Sequence, residues 1–154
     1  MADSSRQTVV IVSAGQRLCG LPIHGVIETM RPLPVSPVAG APPFVQGVAI
    51  VRGEPVPVVE LAVLLGDAPA PPGPAARFVT VRAGARIAAL AVSAVRGVST
   101  LEAAELRRLP LLADAHAGVL EALRARDGDL LLVLGAARLV PDEALAAVGG
   151  GAGA

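Results

Sequence analysis

The side chains able to do chemistry are few and scattered in this sequence of 154 residues. One cation stands out. Arg52 lies at the bend of Gly47-Val-Ala-Ile-Val-Arg52-Gly53-Glu-Pro-Val-Pro-Val-Val-Glu-Leu61, alone among apolar neighbours. A guanidinium stays charged near pH 7 and presents a rigid fork of donors, which suits a carboxylate or backbone carbonyls. The competing reading is an ordinary solvated turn arginine. Glu28, Glu54 and Glu60 could in principle share acid and base roles, but nothing in their spacing positions them for it, so they read as solvated or ion-paired.

Catalytic arrangements are missing. All 13 basic residues are arginine, so no P-loop lysine or Schiff-base lysine is available. There is no Gly-x-Ser-x-Gly, and His24 and His116 each lack an adjacent nucleophile or patterned carboxylate. Two histidines and one cysteine, far apart, are too few for a zinc site, and neither metal nor cofactor is expected. Cys19 reads as a small core residue.

Around Arg52, Gly47 to Val51 and Val56 to Leu61 read as two strands joined by a tight turn at Arg52-Gly53. Before them, Thr8 to Val12 is a β-branched strand ending at Ala14-Gly15, and Leu18 to Val26, interrupted by Gly20, Pro22 and Gly25, is expected to be an edge or bulged strand. Prolines 32, 34, 37, 42 and 43 make a stiff extended connector. A second proline-rich connector, residues 67–76, is the best internal boundary and the place where loop disorder is expected. Phe78 to Arg82 alternates as a strand, a turn follows at Ala83-Gly84, and a long strand runs from Ile87 to Val95. Ser99-Thr100, followed by Glu102 and Glu105 with Leu101, Leu106 and Leu109 on one face, predicts a short capped helix. Residues 111–126 read as partial helix or loop. Asp127-Gly128 signals a hairpin before the buried strand Leu130 to Leu134. Pro141 could start a final helical turn. Residues 1–7 and 149–154 are expected to be disordered tails around one domain, residues 8–142.

Composition narrows the function. The 13 arginines are matched by 13 acidic residues with no long block of one sign, so no nucleic-acid or anionic-lipid footprint is present. No apolar run approaches the ~20 residues that span a bilayer, so no membrane insertion is expected. The N-terminus lacks a basic segment followed by an apolar one, and the lone cysteine cannot form an internal disulfide, which makes a cytoplasmic location the expectation. With only Phe44 and Phe78 as aromatics, the core must be aliphatic and alanine-rich.

The two halves repeat one strand plan. A shift of 69 positions carries Ala14-Gly15 onto Ala83-Gly84, Leu21 onto Leu90 and Val26 onto Val95. A shift of 75 carries Gly53-Glu54 onto Gly128-Asp129 and Val58-Val59 onto Val133-Leu134. Such hairpins cannot close a core alone, so two similar small β-barrels packed together are expected. A groove should then run between them, with Val26, Ile27, Glu28 and the Arg52 turn beside it. An apolar floor with a single charge pair suits a helix laid into a groove.

Gly40-Ala-Pro-Pro-Phe-Val-Gln-Gly-Val-Ala-Ile-Val-Arg-Gly53, followed by Val56-Pro-Val-Val-Glu-Leu61, resembles the central signature of the CheW-like domain family of bacterial chemotaxis systems. Val26-Ile-Glu28 resembles the family's Val-x-Glu, and Asp127 to Leu134 its closing hairpin. The resemblance implies a mainly β fold of two intertwined five-stranded barrels like those of Src-homology-3 domains, with short helical segments. It implies a non-enzymatic adaptor that couples the cytoplasmic tip of a methyl-accepting chemoreceptor to the regulatory domain of a CheA-like histidine kinase. Carried over by position, Val26, Glu28, Val48, Arg52 and Gly53 would form the partner-binding surface. Ile50 stands where the family often has Asn, Val119 replaces an aromatic, Ala122 a Gly, and Gly135 an acidic or amide residue, so the first barrel keeps the pattern better than the second.

A reading from a different class is a small oligonucleotide-binding β-barrel. Such barrels stack bases on aromatics in a basic groove. This chain has neither feature.

Overall fold

A computed structural model describes residues 6–102, 120–126 and 129–134. Ten strands, β1 (Arg6–Ala14), β2 (Arg17–Pro22), β3 (Val26–Met30), β4 (Val45–Val51), β5 (Glu54–Glu60), β6 (Arg77–Ala83), β7 (Arg86–Val92), β8 (Ala94–Glu102), β9 (Leu120–Arg126) and β10 (Asp129–Leu134), form two five-stranded sheets. A 3₁₀ turn (Ile23–Gly25) precedes β3, and a single-turn helix, α1 (Leu61–Leu64), follows β5.

The strand orders are β8-β1-β2-β10-β9 and β3-β6-β7-β5-β4. Exchanging each strand for its repeat counterpart, five strands later or earlier, converts one order into the other. The duplicated sequence thus yields a duplicated topology. Each sheet takes strands from both halves, so the halves are intertwined. The registers agree: β5 runs parallel to β7 with Val58 beside Ala89, and β10 runs parallel to β2 with Val133 beside Gly20, as the shifts of 75 and 69 require.

Several expectations are corrected. Leu18 to Val26 is not one edge strand. β2 lies in the interior of its sheet, and the chain leaves it at Pro22, which cannot donate to a further ladder bond, crosses through the 3₁₀ turn, and enters the other sheet as β3, an end strand. The apolar run Ile87 to Val95 breaks at Ser93 and makes the equivalent crossing in reverse. The capped helix at Ser99-Thr100 is not formed there: β8 continues through Glu102, paired to β1 with Thr100 opposite Thr8 and Leu101 opposite Gln7. Cross-strand pairing overrides the local capping signal. Within the stretch read as helix or loop, Leu120–Arg126 is strand, paired antiparallel to β10. β1 starts at Arg6, so the fraying expected for residues 1–7 does not extend to Arg6 and Gln7. The rest of the proposed helix to Leu109, the Asp127-Gly128 turn, the turn after Pro141 and the 149–154 tail lie outside the described residues.

The connector 67–76 has no regular structure and is anchored at its first residue. Arg17 Nη1 donates to Asp67 Oδ1 at 2.7 Å, and the Asp67 amide donates to the Ala62 carbonyl at 2.9 Å. It joins two strands of the same sheet, β5 and β6.

The core explains why the strands are apolar on both faces. Along β1, Val10 and Val12 face a cluster shared between the sheets, with Cys19, Leu21, Val59, Val79, Val81 and Leu90. Val9 turns to a second cluster with Leu101, Leu131 and Val133. Along β7, Ala88, Leu90 and Val92 face the shared cluster, while Ala89 turns to a third made with Ala49, Val51, Val56, Val58 and Phe78. Each sheet therefore encloses its own small interior and packs against the other through the shared layer. The alanine-rich composition fits these narrow interiors.

Candidate partner-binding site

The β4–β5 hairpin is closed by two residues, Arg52 and Gly53, with φ of +50° and +82°. Positive φ at both central positions is the pattern of a type I′ turn, which matches strand twist and favours Asn-Gly. Among the described residues Arg52 is the sole non-glycine with positive φ. A residue with a side chain, other than Asn or Asp, is uncommon at positive φ, so the turn supplies no reason for an arginine there.

Its side chain supplies one. Arg52 Nε donates to Glu28 Oε2 at 2.7 Å and Nη2 to Oε1 at 2.8 Å, a bidentate pair. Glu28 comes from β3, whose pairing with β6 shifts register between Val26 and Glu28, leaving Ile27 as the extra residue of a bulge. The Arg52 side chain is 77% exposed and that of Glu28 28%. The hydrogen bonds from Arg52, reinforced by its charge, hold the Glu28 carboxyl below the ordinary glutamate range, and Glu28 in turn raises the Arg52 guanidinium.

Beside this pair lies a groove of about 510 Å³ floored by Ile27, Val51, Val56, Pro57 and Ile87, with Glu54 at its edge. Ile27 and Ile87 are 39% and 41% exposed. The groove is not between the two sheets, as expected from the sequence. It opens at one end of the second sheet, between β3 and the β4–β5 hairpin. Residues of both halves line it because that sheet is itself built from both.

Of the residues singled out in sequence, the structure brings together Glu28, Arg52 and Gly53. It does not bring in the other two. Val26 is half-buried and packs on the core shared by the sheets. Val48 lies on the outer edge of β4, where its amide and carbonyl bond Ser36 at 2.9 and 2.8 Å. Ile87, Pro57 and Thr80 line the groove without having been singled out. The one signal for Ile87 was an isoleucine at the start of a strand, next to Arg86 and the turn.

Chemically the site offers an apolar surface and a preformed ion pair. Among the described residues no three His, Cys, Asp or Glu side chains group as a metal site would require, and no helix is long and apolar enough to cross a membrane.

Comparison with known proteins agrees with this architecture. Residues 8–144 match the family described as CheW-like domain. The chain is 31% identical over 103 residues to Protein FrzA of Myxococcus xanthus, covering 67% of this chain and 64% of that protein, so it spans somewhat less than two thirds of this relative's length. Its fold superimposes on the crystal structure of the scaffolding protein TtCheW from Thermoanaerobacter tengcongensis with a TM-score of 0.75, at 22% identity, covering 84% of this chain and 88% of that one. The chain belongs to the family of CheW-like domains.

Proposed function

We propose that this protein is a non-enzymatic scaffold of a chemotaxis-type signalling assembly in the cytoplasm, coupling the cytoplasmic tip of a methyl-accepting receptor to the regulatory domain of a CheA-like histidine kinase. The reading rests on family membership and on one observation: the bidentate Arg52–Glu28 pair standing over an apolar groove. A partner's apolar ridge would supply affinity by covering Ile27 and Ile87, and the ion pair would set its register. Val26 and Val48, outside the groove, belong to this surface only if the partner extends along β3 and β4.

Capture of a receptor cytoplasmic fragment and of a CheA regulatory domain by the purified protein tests the reading, with a single-stranded oligonucleotide as control. Saturable binding of either protein at concentrations on the order of tens of micromolar, typical of transient signalling contacts, is the expected result. Binding of the oligonucleotide alone would overturn it.

A further inference from the structure

The internal repeat offers a comparison for the bulged strand beside the groove. β3 and β6 pair Val26 with Val81 and then, past the bulge, Glu28 with Thr80. In the other sheet β8 and β1 pair Val95 with Val12 and then, past a bulge at the same place, Gly97 with Ile11. These positions are related by the shift of 69. A register shift therefore occurs at both places, but the backbones differ: Gly97 takes a φ of +144°, a region that Glu28 does not enter, so the β3 bulge is held in a conformation open to residues with side chains.

Thr80 is a polar side chain only 1% exposed, and it lies under the groove. Its neighbours along β6, Val79 and Val81, face the shared core, while it faces the other way with Phe78. A hydroxyl there must find a partner or incur a desolvation cost. Its Oγ1 donates to the backbone carbonyl of Glu28 at 3.3 Å. That bond joins β6 to the residue whose carboxylate holds Arg52, just past the bulge where strand geometry is most easily altered.

We propose that Thr80 is the positioning residue of the partner site: its hydroxyl fixes the bulged β3 so that the Glu28 carboxylate meets the Arg52 guanidinium in the bidentate geometry. The role in positioning stands on the structure of the free protein, while its consequence for partners rests on the function proposed above.

The test compares Thr80→Val, which keeps the shape and removes the donor, with Thr80→Ser, which keeps the donor. Thr80→Cys, a weak donor of similar size, is the second variant should the valine form fail to fold. The first readout, in the free protein, is solvent exchange of the Arg52 Nε–H proton followed by nitrogen-15 NMR. The second is capture of the receptor fragment and of the kinase regulatory domain. Loss of one hydrogen bond corresponds to about fivefold, so Thr80→Val should speed the exchange and weaken capture by about that factor. Thr80→Ser should remain within about twofold in both. Unchanged exchange in Thr80→Val, or equal defects in the valine and serine variants, would overturn the proposal. If exchange follows the hydroxyl but Arg52→Glu leaves capture intact, the positioning role stands and the functional reading falls.

Discussion

Arg52 and Glu28 belong to opposite ends of one ladder, the first closing the hairpin of β4 and the second lying on β3, yet their side chains meet at 2.7 Å. The sheet must curl until its end strands approach. Among the described residues the ladder itself does not close. The ion pair spans the gap between the end strands, and Ser36, in the connector that follows β3, bridges to Val48 on the outer edge of β4. The barrel expected from the sequence is thus an open ladder tied at its seam, and the groove lies beside one of the ties.

The placement of Arg52 separates stability from binding. Its backbone conformation suits Asn or Gly better than Arg, and its side chain is mostly in solvent, where ion pairs contribute little. Arg52→Asn should raise the thermal unfolding midpoint slightly or leave it unchanged, and Arg52→Glu should lower it only slightly. Both should weaken partner capture at least tenfold, the loss expected when a central charged anchor of an interface is removed. Calorimetry and pull-down on the same preparations check this, and cooperative unfolding lost in both variants would make Arg52 a structural residue.

Glu28 carries a pH signature whose sign is fixed by its partner. Arg52 favours the ionised carboxylate, so the folded value lies below the unfolded one. The stabilisation from the pair is therefore present above the unfolded value, near the usual 4.3 or so for glutamate, and is lost as pH falls through the folded value. Carbon-13 titration of the Glu28 carboxyl should show a depressed midpoint that returns to the ordinary range in Arg52→Asn. An ordinary midpoint in the unmodified protein would show that the pair does not persist in solution.

Much of this arrangement was legible before the structure. The β-branched runs, the Arg52-Gly53 hairpin and the repeat are local or periodic signals, and each corresponds to an observed element. In sequence Pro22 within Leu18 to Val26 reads as the mark of a sheet edge, whereas in the fold it marks the crossing from one sheet to the other. The capping pattern at Ser99-Thr100 is a local signal, and the pairing of β8 with residues nearly a hundred positions away overrides it. The repeat points to a groove between two barrels, because no local signal shows that a single sheet, assembled from both halves, brings Glu28 to Arg52. Thr80 carried no signal at all, since a threonine in a strand is ordinary until its burial is known.

Gly47 marks where the first proline connector crosses β4. Its φ is +143°, and a Cβ there would collide with the Ser36 carbonyl oxygen and carbon. The close approach is what allows Ser36 to bond Val48 on the outer edge of the strand. Gly47→Ala should destabilise the fold by about 2–4 kcal/mol, from backbone strain and displacement of that bridge. Chemical denaturation measures it, and a change within about 0.5 kcal/mol, typical of a neutral surface site, would show that the connector does not cross there.

Cys19 tests the layer between the sheets. It lies on β2 opposite Val12 and beside Leu132, fully buried in the shared cluster. Burial raises its thiol to about 12, against a smaller opposing pull from Arg17, and only the thiolate reacts with disulfide reagents or alkylating agents. At pH 8 the native protein should resist such reagents, and labelling should proceed only through opening of the inter-sheet core, accelerating with denaturant in step with unfolding. Cys19→Ser should cost about 1–3 kcal/mol, because it buries a hydroxyl among apolar side chains in place of a thiol. Rapid labelling under native conditions, independent of denaturant, would mean that the apolar layer shared by the two sheets opens without global unfolding. The two sheets would then be joined far more loosely than their shared core implies.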